Sequence, residues 1–128
     1  MTDIVAHSND PQSPELIGAL VLVYTTFPQA GQAKALARRL VEDKLAACVN
    51  VIDTMTAVYS WQGAVHEDCE AVAIIKTRKD LAEAVTALIC ASHPYENPAV
   101  MVIDITGGAG RYLEWVRAQT RPASSQPV

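Results

Sequence analysis

The stretch from Ala46 to Thr77 constrains this chain more than any other: it reads as one β-hairpin, too long for the domain that carries it. The first arm, Ala46 to Trp61, is rich in β-branched and aromatic residues, among them Val49, Val51, Ile52, Val58, Tyr59 and Trp61. Gln62-Gly63 supplies a two-residue turn, with Gly where the backbone needs a positive φ. The second arm runs from Ala64 to Thr77. At about 3.3 Å per residue each arm would extend roughly 45–50 Å. A folded domain of about 100 residues has a radius of gyration near 13 Å. The tip must therefore project past its own core, and its bare strand edges need cover. Another copy of the chain is the simplest source of that cover, so an oligomer is expected.

With 128 residues the chain holds one domain, large enough for a real core but not for two. Half of the residues are apolar and 19% are charged, which suits a compact protein with more surface to bury than one subunit can hide. The formal net charge of −4 and the lack of a long Lys/Arg cluster argue against a nucleic-acid partner. The three cysteines, Cys48, Cys69 and Cys90, show no CxxC spacing and suit reduced thiols in a cytoplasm. Met1 to Ser8 lacks the basic start and apolar stretch of a signal peptide. No apolar run approaches the ~20 residues of a membrane span, so no membrane partner is expected.

Residues 1–17 contain Asn9-Asp10-Pro11 and Ser13-Pro14 and read as a flexible arm; residues 119–128 read as a flexible tail. Between them, over residues 18–118, strands and helices alternate. Leu20 to Tyr24 is an apolar strand, followed by a helix from Gln29 to Lys44 with Ala33, Leu36, Ala37, Leu40 and Val41 on one stripe. After the hairpin, Thr77-Arg78-Lys79-Asp80 offers a helix start resembling a capping box. Leu81, Val85, Leu88 and Ile89 line one face of that helix, which stops before His93-Pro94. Ala99 to Ile105 is the last long strand, and Tyr112 to Val116 a short closing helix.

The order β-α-β-β-α-β defines an α+β, ferredoxin-like plan with a long protruding hairpin and a short C-terminal helix. In that plan both long helices cover one face of the sheet, and the other face should alternate apolar and polar. Leu20–Val23, Ala71–Ile75 and Val100–Ile103 are instead apolar at both parities. Two apolar faces need two covers, and the long helices supply one. Self-association is therefore expected on a second, independent ground.

Several words of the sequence occur together in a specific order: Tyr24-Thr25-Thr26-Phe27-Pro28, Leu45-Ala46-Ala47-Cys48-Val49-Asn50, Tyr59-Ser60-Trp61-Gln62-Gly63, Glu70 followed by Ile75-Lys76-Thr77, His93-Pro94-Tyr95-Glu96-Asn97-Pro98, and Tyr112-Leu113-Glu114-Trp115. In this order and spacing the chain, from about Leu20 to Val116, resembles the CutA family of divalent-cation tolerance proteins. The resemblance implies a ferredoxin-like subunit and a tight homotrimer similar in architecture to the PII signalling proteins. It also implies a link to copper and other divalent cations, with no enzymatic reaction. Three positions depart from the family pattern. Pro98-Ala99 stands where Pro-Glu is common, Asp53 where Pro is common, and Gly110-Arg111 where Gly-Asn is usual.

The candidate metal ligands are Cys48, His93, Glu96 and Glu67, with copper or zinc as the ion, because thiolate and imidazole suit both. Cys48 also reads as a packed strand residue, since free cysteines are among the most buried residue types. The turn His93 to Pro98 presents an imidazole, a phenol and a carboxylate from a segment stiffened by two prolines. His93 capping helix carbonyls, with Tyr95 and Glu96 holding an interface, is the alternative. His66, Asp68 and Glu70 share one strand face, where three donors could hold an ion or simply be solvated. Glu70, Lys76, Tyr59, Trp61 and Tyr95 are the candidates for lining a ligand cleft between subunits. The same aromatics are also the usual anchors of an interface.

Three functions follow. The first is a non-catalytic trimer that binds divalent metal in cation tolerance. The second is a PII-like signalling module that binds a small metabolite in inter-subunit clefts and reports to an unidentified protein partner. The third, an enzyme with Cys48 as nucleophile and His93 as base, is disfavoured because reactive cysteines need an electropositive, accessible setting. No organic cofactor is indicated.

Overall fold

A computed structural model describes residues 19–122. The order is β1 (Leu20–Phe27), α1 (Ala30–Glu42), β2 (Cys48–Trp61), β3 (Ala64–Arg78), a 3-10 turn (Lys79–Leu81), α2 (Ala82–Ser92), β4 (Val100–Ile105) and α3 (Gly110–Ala118). The strands form one antiparallel sheet in the order β2-β3-β1-β4, the ferredoxin-like α+β arrangement with its projecting ribbon and short final helix. The residue 1–17 arm lies outside the described residues.

The hairpin closes as expected. Gln62 and Gly63 both have positive φ, at 51° and 81°, which matches a turn whose twist suits antiparallel strands. The ladder from Cys48↔Lys76 to Trp61↔Ala64 is interrupted once, by a register shift between Ile52 and Met55. Asp53 and Thr54 therefore form the bulge, and the ribbon bends there as it leaves the body of the subunit.

Strand alternation sorts the two faces. Val21, Val23, Ala71, Ala73 and Ile75 point to the side covered by α1 and α2, where they meet Ala33, Leu36, Leu40, Val85 and Ile89 in the main core. Of the stripe expected on α1, Val41 is an exception, being 41% exposed. It lines an open groove of about 520 Å³ with Lys34, Arg38, Val49 and Val51, because the sheet ends at β2 and leaves that side of the helix without a floor.

The capping box is absent. Thr77 remains in β3, where its hydroxyl donates to the Leu45 carbonyl at 2.6 Å, and α2 starts only after the 3-10 turn, with no side-chain cap. Thr77 is held in the strand ladder, and the Leu45 carbonyl took the hydroxyl that a cap would have used. Thr25 offers a contrast: it is fully buried, yet its Oγ1 has no hydrogen-bond partner. Replacing Thr25 with valine is expected to leave stability unchanged or raise it by up to about 1 kcal/mol, whereas Thr77→Val should cost about 1–3 kcal/mol. Urea denaturation of the two variants measures the difference.

The opposite face is partly covered by α3. Leu113 and Val116 pack with Leu20 and Ala47 in a second buried cluster, with Ile105 at its edge. Beyond that helix, Ile52, Met101 and Ile103 remain 48%, 52% and 47% exposed. The expected single cover is thus corrected to a cover and a fraction, and the apolar remainder is still bare. The start of the tail also differs from expectation. Thr120 is buried, with its hydroxyl on the Val116 carbonyl, and the Arg121 amide donates to the Lys44 carbonyl, so residues 119–121 are fastened to the subunit. Residues 123–128 of the tail lie outside the described residues.

Candidate functional site

Among the described residues, a connected polar group forms where the hairpin leaves the sheet. Pro94 disfavours helical geometry at His93, so α2 ends there and the chain turns extended, with His93 at φ −78° and ψ 141°. The imidazole swings back over β1. Its Nε2 donates to the Thr26 carbonyl at 2.6 Å, and its Nδ1 accepts the Tyr95 amide N–H at 3.0 Å. The ring stacks on Phe27, centroids 4.4 Å apart, and meets the Tyr95 ring at 5.0 Å. The expected capping of helix carbonyls is not what His93 does. Ser92 takes that role through the Leu88 carbonyl, while His93 ties the turn to β1.

Glu70 sits beside this knot. One carboxylate oxygen accepts from the Tyr95 hydroxyl at 3.1 Å and from Thr26 Oγ1 at 3.4 Å. Burial first, and then the hydrogen bond to Glu70, hold the Tyr95 phenol above its usual pKa of 10.0. Its contribution to stability is therefore complete below pH 10 and lost as pH rises above it. In ultraviolet absorbance titration, the phenol missing from Tyr95→Phe should be one that ionises above 10.0 in the parent.

The pattern repeats farther out on the ribbon. Tyr59 donates to Asp68, its ring stacks on His66 at 5.5 Å, and the hydrogen bond to Asp68 is the main cause of its raised pKa. Cross-strand register explains the pairing. Tyr59 lies opposite His66, Ala57 opposite Asp68 and Met55 opposite Glu70, so all share one face of the hairpin. Trp61, paired with Ala64 at the tip, is 56% exposed.

The metal candidates are scattered. Cys48 is half-buried on the sheet's second face, where the Asn50 amide approaches its sulfur at 3.9 Å. Glu67 is exposed on the outer ribbon and Glu96 on the turn after α2. Among the described residues, no three His, Cys, Asp or Glu side chains form a group able to hold a metal ion. His93 would have to surrender one of its two internal hydrogen bonds to become a ligand. Lys76, directly across from Cys48, reaches the Tyr112 hydroxyl at 3.2 Å and lies 5.5 Å from that ring's centroid. Thr26 and Phe27 are the participants not singled out from sequence. Their signal was strand parity, which becomes informative only when the register is known.

A four-stranded antiparallel sheet with helices, and a polar knot of His93, Tyr95, Glu70 and Thr26 at the base of a projecting ribbon, places the chain in the ferredoxin-like α+β class. Comparison with known proteins narrows it. The family model for the CutA1 divalent ion tolerance protein matches residues 21–119, and the chain belongs to that family. It is 45% identical over 101 residues to the chloroplastic protein CutA of Arabidopsis thaliana, covering 79% of this chain and 56% of that relative. It is 37% identical to the divalent-cation tolerance protein CutA of Thermus thermophilus, covering 77% and 96%. The crystal structure of CutA1 from Oryza sativa superposes with a TM-score of 0.78 at 39% identity, covering 87% of this chain and 97% of that one. The chain thus spans little more than half the length of the Arabidopsis relative.

Proposed function

We propose that this chain works as a PII-like homotrimer that binds divalent cations, copper foremost, and serves cation tolerance without catalysing a reaction. The observation that carries this reading is the half-exposed apolar strip of Ile52, Met101 and Ile103, on the same sheet face as the Cys48 thiol. A second copy that covers the strip would also bring its own side chains to Cys48. Ligands scattered over one subunit would then meet across a boundary. Cys48, Glu67 and Glu96 present donors that suit such a shared site, a soft thiolate for copper or zinc and two accessible carboxylates. Family membership supports the cation role. A cytoplasmic setting fits the free thiols Cys48, Cys69 and Cys90, and no helix among the described residues is long and apolar enough to cross a membrane.

Titration with copper and with zinc, followed by melting temperature and native mass, tests the proposal. A bound ion at 100 times its Kd should stabilise the assembly by about 2.7 kcal/mol, and Cys48→Ser should weaken the effect. Unchanged melting with both metals removes the cation role; a folded monomer at micromolar concentration removes the trimer.

A second reading has one observation in its favour. Lys76 stands opposite Cys48 and opposes a dication there by simple repulsion, yet it suits an anion. On that reading the clefts between subunits take a small metabolite, with Glu70, Lys76, Tyr59, Trp61 and Tyr95 around it, and an unidentified protein partner reads their occupancy.

A further inference from the structure

We propose that Lys76, Tyr112 and Trp115 form a subsite for a planar aromatic carboxylate; this rests on the second reading, in which the clefts take a metabolite. Lys76 is half-buried on an apolar sheet face, in one cross-strand row with Ile103, Leu22 and Cys48. A lysine in such a place is normally paired with a carboxylate, because desolvating an ammonium without a counter-charge is costly. Here its contacts are a phenol hydroxyl and the phenol ring, and none of the described carboxylates pairs with it. Covering the face with another copy would desolvate the ammonium further and make an anion more necessary still.

The surroundings select the kind of anion. Tyr112 and Trp115, three residues apart on α3, hold their rings 5.6 Å apart at 32°, and each is 42% exposed. One end of this arrangement offers a single positive charge and a hydroxyl, the other an accessible aromatic surface. A singly charged carboxylate on a flat ring matches both: the oxygens meet Nζ while the ring lies against Trp115. A phosphate would leave the aromatic pair unused and bring more negative charge than one ammonium balances.

Calorimetry on the assembled full chain, with benzoate, acetate, benzamide and inorganic phosphate as probes, tests the subsite. Benzoate should bind at least roughly tenfold tighter than the other three, a gap of about 1.4 kcal/mol. Lys76→Gln should abolish benzoate binding while the native mass stays unchanged. Trp115→Leu, which keeps the charge, should reduce benzoate to the level of acetate. Equal binding of benzoate and acetate would mean an adventitious ion only and overturn the proposal, as would phosphate binding tightest or benzoate binding unaffected by Lys76→Gln. If a metabolite screen gives melting shifts that survive Lys76→Gln and Trp115→Leu, the cleft reading stands and this subsite fails. If no metabolite or benzoate binds at all, both fall together.

Discussion

Ile103→Asp is expected to produce a folded subunit that no longer assembles. Ile103 lies on β4 with its side chain toward the sheet's second face, and 47% of it is exposed in the single subunit. Within one chain, therefore, the aspartate remains hydrated, and the cost to the fold should stay under about 1 kcal/mol. In an assembly that covers this face the same carboxylate would be stripped of water among apolar side chains, at a cost of several kcal/mol. With each 1.4 kcal/mol worth a factor of ten, dissociation should strengthen by about a thousandfold or more. Light scattering across a dilution series reads the mass, and circular dichroism reports whether the subunit is intact. Wild-type mass for Ile103→Asp would show that this face is not where copies meet.

The second large effect concerns His93. Replacement by alanine removes a ring stacked on Phe27 and leaves the Thr26 carbonyl and the Tyr95 amide without their partners. The loss expected is about 2–4 kcal/mol, most of it from the lost ring packing and from the partly buried Thr26 carbonyl, since a buried group deprived of its hydrogen bond costs about 1–3 kcal/mol whereas the exposed Tyr95 amide can turn to water. Both ring nitrogens are already bonded to protein partners, so the loss should be equal in chelator and in zinc, as read by urea denaturation. A loss that appears only with zinc present would instead make His93 a ligand. The comparison thus separates the two roles that the His93–Pro98 turn suggests: a brace that holds the turn on β1, and a metal-binding imidazole.

Much of this was visible in the residue order. Long apolar strands, two amphipathic helices and the Gln62-Gly63 turn impose local periodicities that survive in the fold, because each depends on neighbours within a few residues. The limits of that reasoning appear at Thr77 and Val41. A cap was expected at Thr77, but the Leu45 carbonyl, distant in sequence, took the hydroxyl. Val41 belongs to the helical stripe yet faces a groove, because the sheet does not extend beneath it. The polar knot was half legible. Glu70, His93 and Tyr95 were identified as candidates, while Thr26 and Phe27 became partners only through the β1–β3 register and the return of the chain after α2.

What the sequence by itself determined was the element order, the length of the ribbon and strands apolar at both parities. These follow from backbone propensity and hydrophobic spacing, which act over short range. Only the tertiary structure decided which side chains meet: that Tyr95 and Thr26 share Glu70, that His93 spends both ring nitrogens internally, and that Lys76 meets the hydroxyl and ring of Tyr112. Those contacts depend on strand register and on the crossing of distant segments, and a shift of one residue in register would turn the strand side chains among them, Thr26, Glu70 and Lys76, to the other face.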